Sequence, residues 1–346
     1  EPTQATGKRT AARRVFEENI VWPRCSSVTE LCGYAPSSSQ NYKVSARFAG
    51  CLAIQPFPRK QDAHGIFRQA LKPVQRAALI LLLAAAGFAQ AESRRELAKG
   101  VSFGAYESWP RSVVLSLDQP GVEAVLTPNA GGRILRYSLD GDSPLLDYAP
   151  ADWQSPEGGR VPFPAGGYQC DVGPEIRELP PHPALWMGTN SWQYKPYMVK
   201  LMSDPCDALG VQVEKEVLLD RETGSLALTQ RLRNTSDETV SYCLWDRTFC
   251  KPGGFAFFPL NKKSRFKQGW TVHSVWNNSF RFDGKNFVSD EVKTVDDHLV
   301  IFCHGEATKV GADSDAEWIA YVRGDLLFVK FFPYFPKGDY SDGGNT

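Results

Sequence analysis

Apolar and polar side chains alternate along many short segments of this chain. The clearest segment is SLALTQRLRNTSDETVSYCLWDRTF, residues 225–249, which alternates on both sides of the turn-forming residues NTSD. A period of two is typical of half-buried β-strands, and Asn, Thr, Ser and Asp favour turns because their side chains bond their own backbone. The segment therefore predicts an antiparallel hairpin. Its second strand ends in Trp245, Asp246 and Arg247, whose ring, carboxylate and guanidinium together suit a sugar.

About a dozen such segments occur, separated by turn signals such as DQPG and NAGG. The predicted strands are 113–117, 122–126, 134–139, 197–202, 211–219, 226–233, 240–247, 269–275, 292–294, 299–303, 317–323 and 326–332. Since open twisted sheets rarely exceed about ten strands, they predict an all-β fold, a large antiparallel two-sheet sandwich. No helix of ordinary length is predicted. Residues 149–196, rich in Pro, Gly and Trp, predict a long functional loop.

The N-terminal part differs from the rest in charge and in pattern. The whole chain carries 39 basic and 39 acidic residues, yet residues 1–76 are clearly basic and residues 77–346 acidic. Residues 1–70 show no sustained period, and the first methionine of the chain is Met187, so residue 1 is no ordinary translation start. We therefore expect residues 1–70 to be a non-native or disordered leader.

Residues 71–91 predict a secretory signal peptide. A basic flank precedes the apolar run AALILLLAAAGFA, and the tripeptide AQA that ends at Ala91 has the pattern of a cleavage site. The run is shorter than the roughly 20 residues of a membrane span, and a buried helix is the alternative for it. Cleavage near Ala91 predicts a secreted or periplasmic bacterial protein with no remaining membrane span. Residues 92–346 then form one all-β domain, which we expect to be truncated at its C-terminus.

Tryptophan and arginine supply the candidate sugar contacts. Indole rings pack against the C–H faces of sugars, and Trp186 and Trp192 lie in the long loop while Trp245 lies in a predicted strand. Arg133 follows a glycine pair at the mouth of a strand, and its guanidinium, like that of Arg247, can bridge two hydroxyls or a carboxylate. Core packing is the alternative for the tryptophans and a surface salt bridge for Arg133.

Histidines and carboxylates supply the candidate proton-transfer groups. His182 is flanked by prolines in the long loop and is the first candidate, because histidine is the usual proton-transfer group near neutral pH. His304, at a predicted strand end, is the second and is also a candidate ligand contact. Glu175 and Asp246 are candidate acids or bases. A structural or solvated role is the alternative for each histidine.

Several functional classes lack their sequence signals. The chain contains no metal-ligand cluster, phosphate-binding loop, nucleophile elbow or Rossmann glycine pattern, so we predict neither a metal nor a cofactor. The acidic balance of residues 77–346 disfavours nucleic-acid binding.

Three runs, in order GVEAVLTPNAGGRILRYSLDGDSPLLDY, GGYQCDVGPE and LTQRLRNTSDETVSYCLWDRTF, resemble the galactose mutarotase-like superfamily, and within it bacterial domains of unknown function. The resemblance covers roughly residues 101–346 and implies a β-supersandwich with a saccharide site on a concave face. Aldose epimerases of this superfamily use a histidine acid after the turn and a glutamate base near the C-terminal end. Here Trp245 or Asp246 stands at the histidine position, and no matching glutamate is found. Arg133 matches the sugar-contacting arginine, and His182 matches the second histidine loosely.

The sequence therefore predicts an exported protein that binds a mono- or oligosaccharide. One alternative is an aldose 1-epimerase-like isomerase or another carbohydrate-active enzyme, with His182 as the acid and a glutamate as the base. A second alternative is a structural or interaction sandwich in a surface assembly.

Overall fold

The structure is a computed structural model that describes residues 45–57, 94–107, 109–145, 166–173, 182–274, 281–282, 292–303, 309–336, 338 and 340. Within these ranges the chain consists of antiparallel β-strands with one short helix. The predicted all-β sandwich is confirmed.

Twenty strands and the helix follow one another along the described chain. Their bounds are β1 Ser45–Pro56, β2 Arg95–Ala98, β3 Val101–Tyr106, β4 Trp109–Leu117, β5 Val122–Thr127, β6 Arg133–Leu139, β7 Tyr168–Gly173, α1 Pro183–Met187, β8 Ser191–Lys195, β9 Met198–Met202, β10 Val211–Leu219, β11 Leu226–Asn234, β12 Cys243–Thr248, β13 Phe255–Pro259, β14 Trp270–Ser274, β15 Arg281–Phe282, β16 Val292–Val295, β17 His298–Phe302, β18 Lys309–Ala312, β19 Trp318–Arg323 and β20 Leu326–Phe331.

Two large sheets and one small sheet contain these strands. The ten-stranded sheet has the order β16-β17-β13-β19-β20-β1-β11-β10-β9-β8, the seven-stranded sheet has the order β12-β7-β6-β5-β4-β3-β2, and β15-β14-β18 form the third. The main core lies between the two large sheets, with Leu115 and Leu126 on one side and Leu201 and Leu226 on the other. The Tyr137 hydroxyl crosses this core and donates a hydrogen bond to the Gly224 carbonyl at 2.7 Å.

The predicted hairpin between β11 and β12 is wrong. β11 pairs with β1 and β10 in the ten-stranded sheet, whereas β12 pairs with β7 in the seven-stranded sheet. The turn chemistry itself is as expected, because the Asn234 side chain accepts a hydrogen bond from the Ser236 amide at 2.9 Å. Such a turn reverses the chain but does not choose the next strand's neighbour. The apolar faces of both strands reach the same core when the chain crosses between the sheets.

Part of the predicted long loop, residues 149–196, is regular structure. β7, α1 and β8 all lie within it. All six residues of β7 are buried, and its apolar–polar alternation spans only five residues inside a stretch rich in Pro and Gly, where it is hard to tell from a loop. Its flanking glycines also read as turn signals.

The prediction that residues 1–70 form a disordered leader is wrong for β1. This strand lies between β11 and β20 in the middle of the ten-stranded sheet, antiparallel to both. Leu52 and Ile54 belong to the main core. Residues 1–44 and the predicted signal peptide lie outside the described residues. In the described part of the chain, no helix has the length and apolar character needed to cross a membrane.

A buried carboxylate joins three strands on the other face of the ten-stranded sheet. Glu214 of β10 lies directly across from Arg231 of β11, which donates a hydrogen bond to it, and Lys200 of β9 lies 2.8 Å from its second oxygen. Burial raises the pKa of Glu214, but the hydrogen bonds and charges of Lys200 and Arg231 outweigh burial and lower it below the ordinary value. The folded state therefore favours the ionised form.

We expect Glu214→Gln to lower the free energy of unfolding by about 1 kcal/mol at pH 7. Because the folded-state pKa lies below the unfolded one, this contribution is present above the unfolded pKa and is lost as the pH falls through the folded pKa. The difference from the wild type should thus begin to shrink near the ordinary glutamate pKa, about 4.3, and vanish at a lower pH, once the folded-state carboxylate is also protonated. Urea unfolding at pH 7 and pH 3 measures it. Glu238→Gln, at an exposed position in the turn before β12, is the control and should change little.

Candidate functional site

The two faces of β7 carry different chemistry. Tyr168, Cys170 and Val172 point toward the ten-stranded sheet and belong to its core clusters. Because successive strand residues alternate between faces, Gln169 and Asp171 point away from that sheet. We call this the outer face of the seven-stranded sheet. Both residues are buried there, and Asp171 has no exposed surface.

Asp171 holds together donors from three elements. Its Oδ1 accepts a hydrogen bond from the Val172 amide at 2.7 Å and lies 2.8 Å from His182 Nε2. The Trp186 indole N–H also donates to Oδ1. Arg247 Nη2 reaches Oδ2 at 3.4 Å. A buried carboxylate is stable only when it is paired and hydrogen-bonded, and these donors meet that requirement.

Close backbone packing places α1 against this carboxylate. Gly131 has a φ of +69°, and a Cβ at this position would lie 1.9 Å from the Trp186 carbonyl oxygen. The Gly131 amide also donates to the Gly188 carbonyl at 2.9 Å, just beyond the helix. Only glycine allows both this conformation and this approach. The turn before β6 thereby fixes His182 and Trp186 over β7.

The same turn delivers Arg133 to the site. Arg133 is buried, and its Nη1 donates a hydrogen bond to the Gly166 carbonyl at 3.1 Å. Burial lowers its pKa to about 10, an effect that the Asp171 carboxylate opposes and the neighbouring Arg247 increases. Burial also lowers the pKa of Arg247, again opposed by Asp171. Two guanidiniums therefore share the neighbourhood of one carboxylate.

The edge strand β12 contributes an aromatic side chain, Trp245, to the site. In the β7–β12 pair, Trp245 lies across from Asp171 and Arg247 lies across from Gln169. The Arg247 guanidinium lies 5.8 Å from the centre of the Trp245 ring. The indole leans over Gly173, where a Cβ would lie 2.3 Å from the ring. Trp245 and Arg247 are only partly buried, so they form the exposed side of the site.

Gln169 brings an acceptor with unmet hydrogen-bonding capacity. Its Oε1 is buried and has no hydrogen-bond partner among the described residues. Buried polar atoms are nearly always paired, by protein, water or ligand. In the strand pair Gln169 lies across from Arg247 on the outer face, so this oxygen is a candidate acceptor for a ligand.

Not all predicted site residues meet here. The outer site consists of Arg133, Gln169, Asp171, His182, Trp186, Trp245 and Arg247. Sequence analysis predicted five of these residues and missed Gln169 and Asp171. The available signal was two polar residues two positions apart in the short glycine-flanked run GGYQCDVG. In the part of the chain that the structure describes, no group of three His, Cys, Asp or Glu residues could hold a metal.

Asp246 does not join the outer site. It pairs with Cys170 and therefore points to the inner face, where Tyr168 donates to it at 2.9 Å and Lys330 also donates. The expectation that Trp245, Asp246 and Arg247 converge on one ligand overlooked that neighbours in a strand point to opposite faces. The structure thus places Asp246 with a different group of residues.

The remaining candidates lie elsewhere. Trp192 is on the edge strand β8 and stacks on Phe103 at 5.3 Å, beside Tyr194. It packs against the main core, as the alternative interpretation held. Glu175 and His304 lie outside the described residues.

The fold and the site define an all-β sandwich protein with a buried ionic centre flanked by two indoles. No protein-family model matches the sequence, and a comparison with curated proteins gives no match. The chain is similar to a crystal structure of the Slr1438 protein from Synechocystis sp. PCC 6803, with 16% identity over 64% of this chain and 84% of that chain, at a TM-score of 0.32. So distant a similarity says nothing about function. Membership of the galactose mutarotase-like superfamily stays a prediction.

Proposed function

We propose that the outer site binds a saccharide. The observation that carries the proposal is the buried Gln169 Oε1, which has no hydrogen-bond partner among the described residues and whose residue pairs with Arg247 across the strands. A sugar offers hydroxyl groups that both donate and accept. Such a ligand can donate to Gln169 Oε1 while it accepts from Arg247. A purely apolar ligand would leave Gln169 Oε1 unsatisfied.

The aromatic residues favour a sugar over a simple alcohol. Trp245 and Trp186 are partly exposed and lie on the same carboxylate-centred site. Indole faces pack against apolar C–H surfaces, and hydroxyls at the ring edge then meet the planar polar groups. Pockets with a few fixed polar groups among aromatic side chains are typical of small-molecule sites.

Replacing Gln169 by Met tests the site directly. We expect the affinity for the preferred sugar to fall about tenfold, or about 1.4 kcal/mol, because a ligand hydroxyl loses its acceptor. The melting temperature should not fall, since Oε1 has no partner among the described residues. Isothermal titration calorimetry, after a glycan array has selected the sugar, measures the change. Gln193→Met, at an exposed position of the edge strand β8, is the matched control.

Two outcomes would count against saccharide binding. If no mono- or oligosaccharide on the array binds the protein, the structural or interaction role in an assembly is favoured. If a sugar binds equally well to Gln169→Met and to the wild type, the ligand contacts another surface.

The enzyme alternative has its own supporting observation. His182 Nε2 lies 2.8 Å from the Asp171 carboxylate, and a carboxylate in this position orients an imidazole. An aldose epimerase-like reaction would use His182 to move a proton on the sugar. Saturation-transfer NMR of anomer interconversion distinguishes the two functions. A binder leaves interconversion at the spontaneous rate, whereas an enzyme accelerates it and loses that acceleration in His182→Gln.

The position of β1 in the fold bears on the export predicted from residues 71–91. The predicted signal lies between β1 and β2 along the chain. Cleavage after Ala91 would separate β1 from every other strand. Export with cleavage and the ten-stranded sheet described above are therefore mutually exclusive for one covalent chain.

A further inference from the structure

A second polar group lies on the inner face of β7 and β12, behind the outer site. This inner cluster consists of Tyr168, Gln230, Asp246, Thr248 and Lys330. The Tyr168 hydroxyl donates to Asp246 Oδ2 at 2.9 Å and accepts from Gln230 Nε2, while Lys330 donates to Asp246 Oδ1. Residues of both large sheets take part, since Gln230 lies on β11 and Lys330 on β20. The cluster thus occupies the space between the sheets.

The charges of this cluster balance, and one side of it reaches solvent. The side chains of Asp246 and Lys330 are each 14% exposed. The Lys330 ammonium also lies 5.5 Å from the centre of the Tyr168 ring. Burial, and next the Asp246 charge, raise the pKa of Tyr168 well above its ordinary value, so its hydroxyl keeps its proton. A charged ligand would bring an unpaired charge into this desolvated region, which costs free energy, whereas a neutral ligand would not.

Two oxygens of the inner cluster have unmet hydrogen-bonding capacity. Gln230 is 1% exposed, and its Oε1 has no partner among the described residues. The same holds for the buried Oγ1 of Thr248. Gln230 donates to the Tyr168 hydroxyl and Thr248 pairs with Tyr168 across the strands, so both residues adjoin one side chain. Buried polar atoms in folded proteins are nearly always paired, so two such oxygens in one cluster favour a bound molecule.

The two residues that carry these oxygens adjoin opposite ends of the Tyr168 side chain. Thr248 lies directly across from Tyr168 in the strand pair, whereas the Gln230 amide meets the hydroxyl end of the same side chain. One water molecule bridges atoms up to about 5.6 Å apart, less than the length of a tyrosine side chain. We propose that the inner cluster binds a small neutral polyol with adjacent hydroxyl groups, which enters past Asp246 and Lys330. This site does not depend on saccharide binding at the outer site.

Titration of the full chain with erythritol tests the inner site. Thr248→Val keeps the shape of the side chain and removes only the hydroxyl, and we expect it to weaken erythritol binding at least tenfold. Thr248→Ser restores a hydroxyl and should restore the affinity. Thr127→Val is the matched control, because the Thr127 Oγ1 at the end of β5 is also buried without a partner among the described residues. It should leave the affinity unchanged.

The outer-site variant separates the two sites. Gln169→Met should bind erythritol as the wild type does. The proposal is overturned if the wild type binds no erythritol, if Thr248→Val binds it unchanged, or if Gln169→Met abolishes the binding.

Discussion

Replacing Asp171 by Asn is expected to lower the free energy of unfolding by about 3 kcal/mol and to abolish saccharide binding at the outer site. The variant keeps the shape of the side chain but removes its charge. Arg133 then remains near Arg247 without the negative charge of the carboxylate, and the charge of Arg247 disfavours the charged form of Arg133. The amide N–H₂ group also meets donors where the carboxylate met them. Urea unfolding and titration calorimetry measure the two effects.

An exposed aspartate provides the control for this change. Asp142 lies 4.0 Å from Arg323, and its side chain is 59% exposed. Asp142→Asn should change the free energy of unfolding by no more than about 0.5 kcal/mol, because solvent screens such a pair. If Asp171→Asn were as stable as Asp142→Asn and still bound sugar, Asp171 would not be the centre of the site.

Removing residues 1–91 is expected to prevent residues 92–346 from folding into the ten-stranded sheet. β11 and β20 would each lose one of their two neighbouring strands, and the exposed edges would favour aggregation. Leu52 and Ile54 would also leave the main core. Circular dichroism and size-exclusion chromatography of the shortened chain, beside the full chain, measure the outcome.

A shorter deletion separates the role of β1 from that of the residues before it. Removing residues 1–42 leaves β1 in place and should leave the melting temperature unchanged. A folded, monomeric chain of residues 92–346 with the stability of the full chain would show that β1 is dispensable. Cleavage near Ala91, and with it export, would then be compatible with the domain.

Local patterns predicted individual strands well. The predicted strand 211–219 coincides with β10, because its alternation places Val211, Val213 and Val217 on the buried face. The alternation of β7 is short and lies between glycines in a Pro-rich stretch, so the sequence predicts a loop there. The site residues follow the same division. Arg133 and His182 stand out in the sequence because they lie beside glycines or prolines, whereas Asp171 lies inside β7, a strand that the sequence does not predict.

The amino-acid sequence alone determined that the chain is all-β and where its main turns lie. It also identified most of the aromatic and cationic residues of the outer site. These properties depend on residues close together in sequence, where side-chain period and turn chemistry act. Only the tertiary structure decided that β11 and β12 belong to different sheets, that β1 lies between β11 and β20, and that Asp246 faces inward. These choices depend on pairing between segments that are far apart in sequence. A strand can form the same backbone hydrogen bonds with any neighbouring strand, so local sequence does not select its partner. The free energy gained by burying the apolar faces of all the strands together selects one pairing among the possible ones.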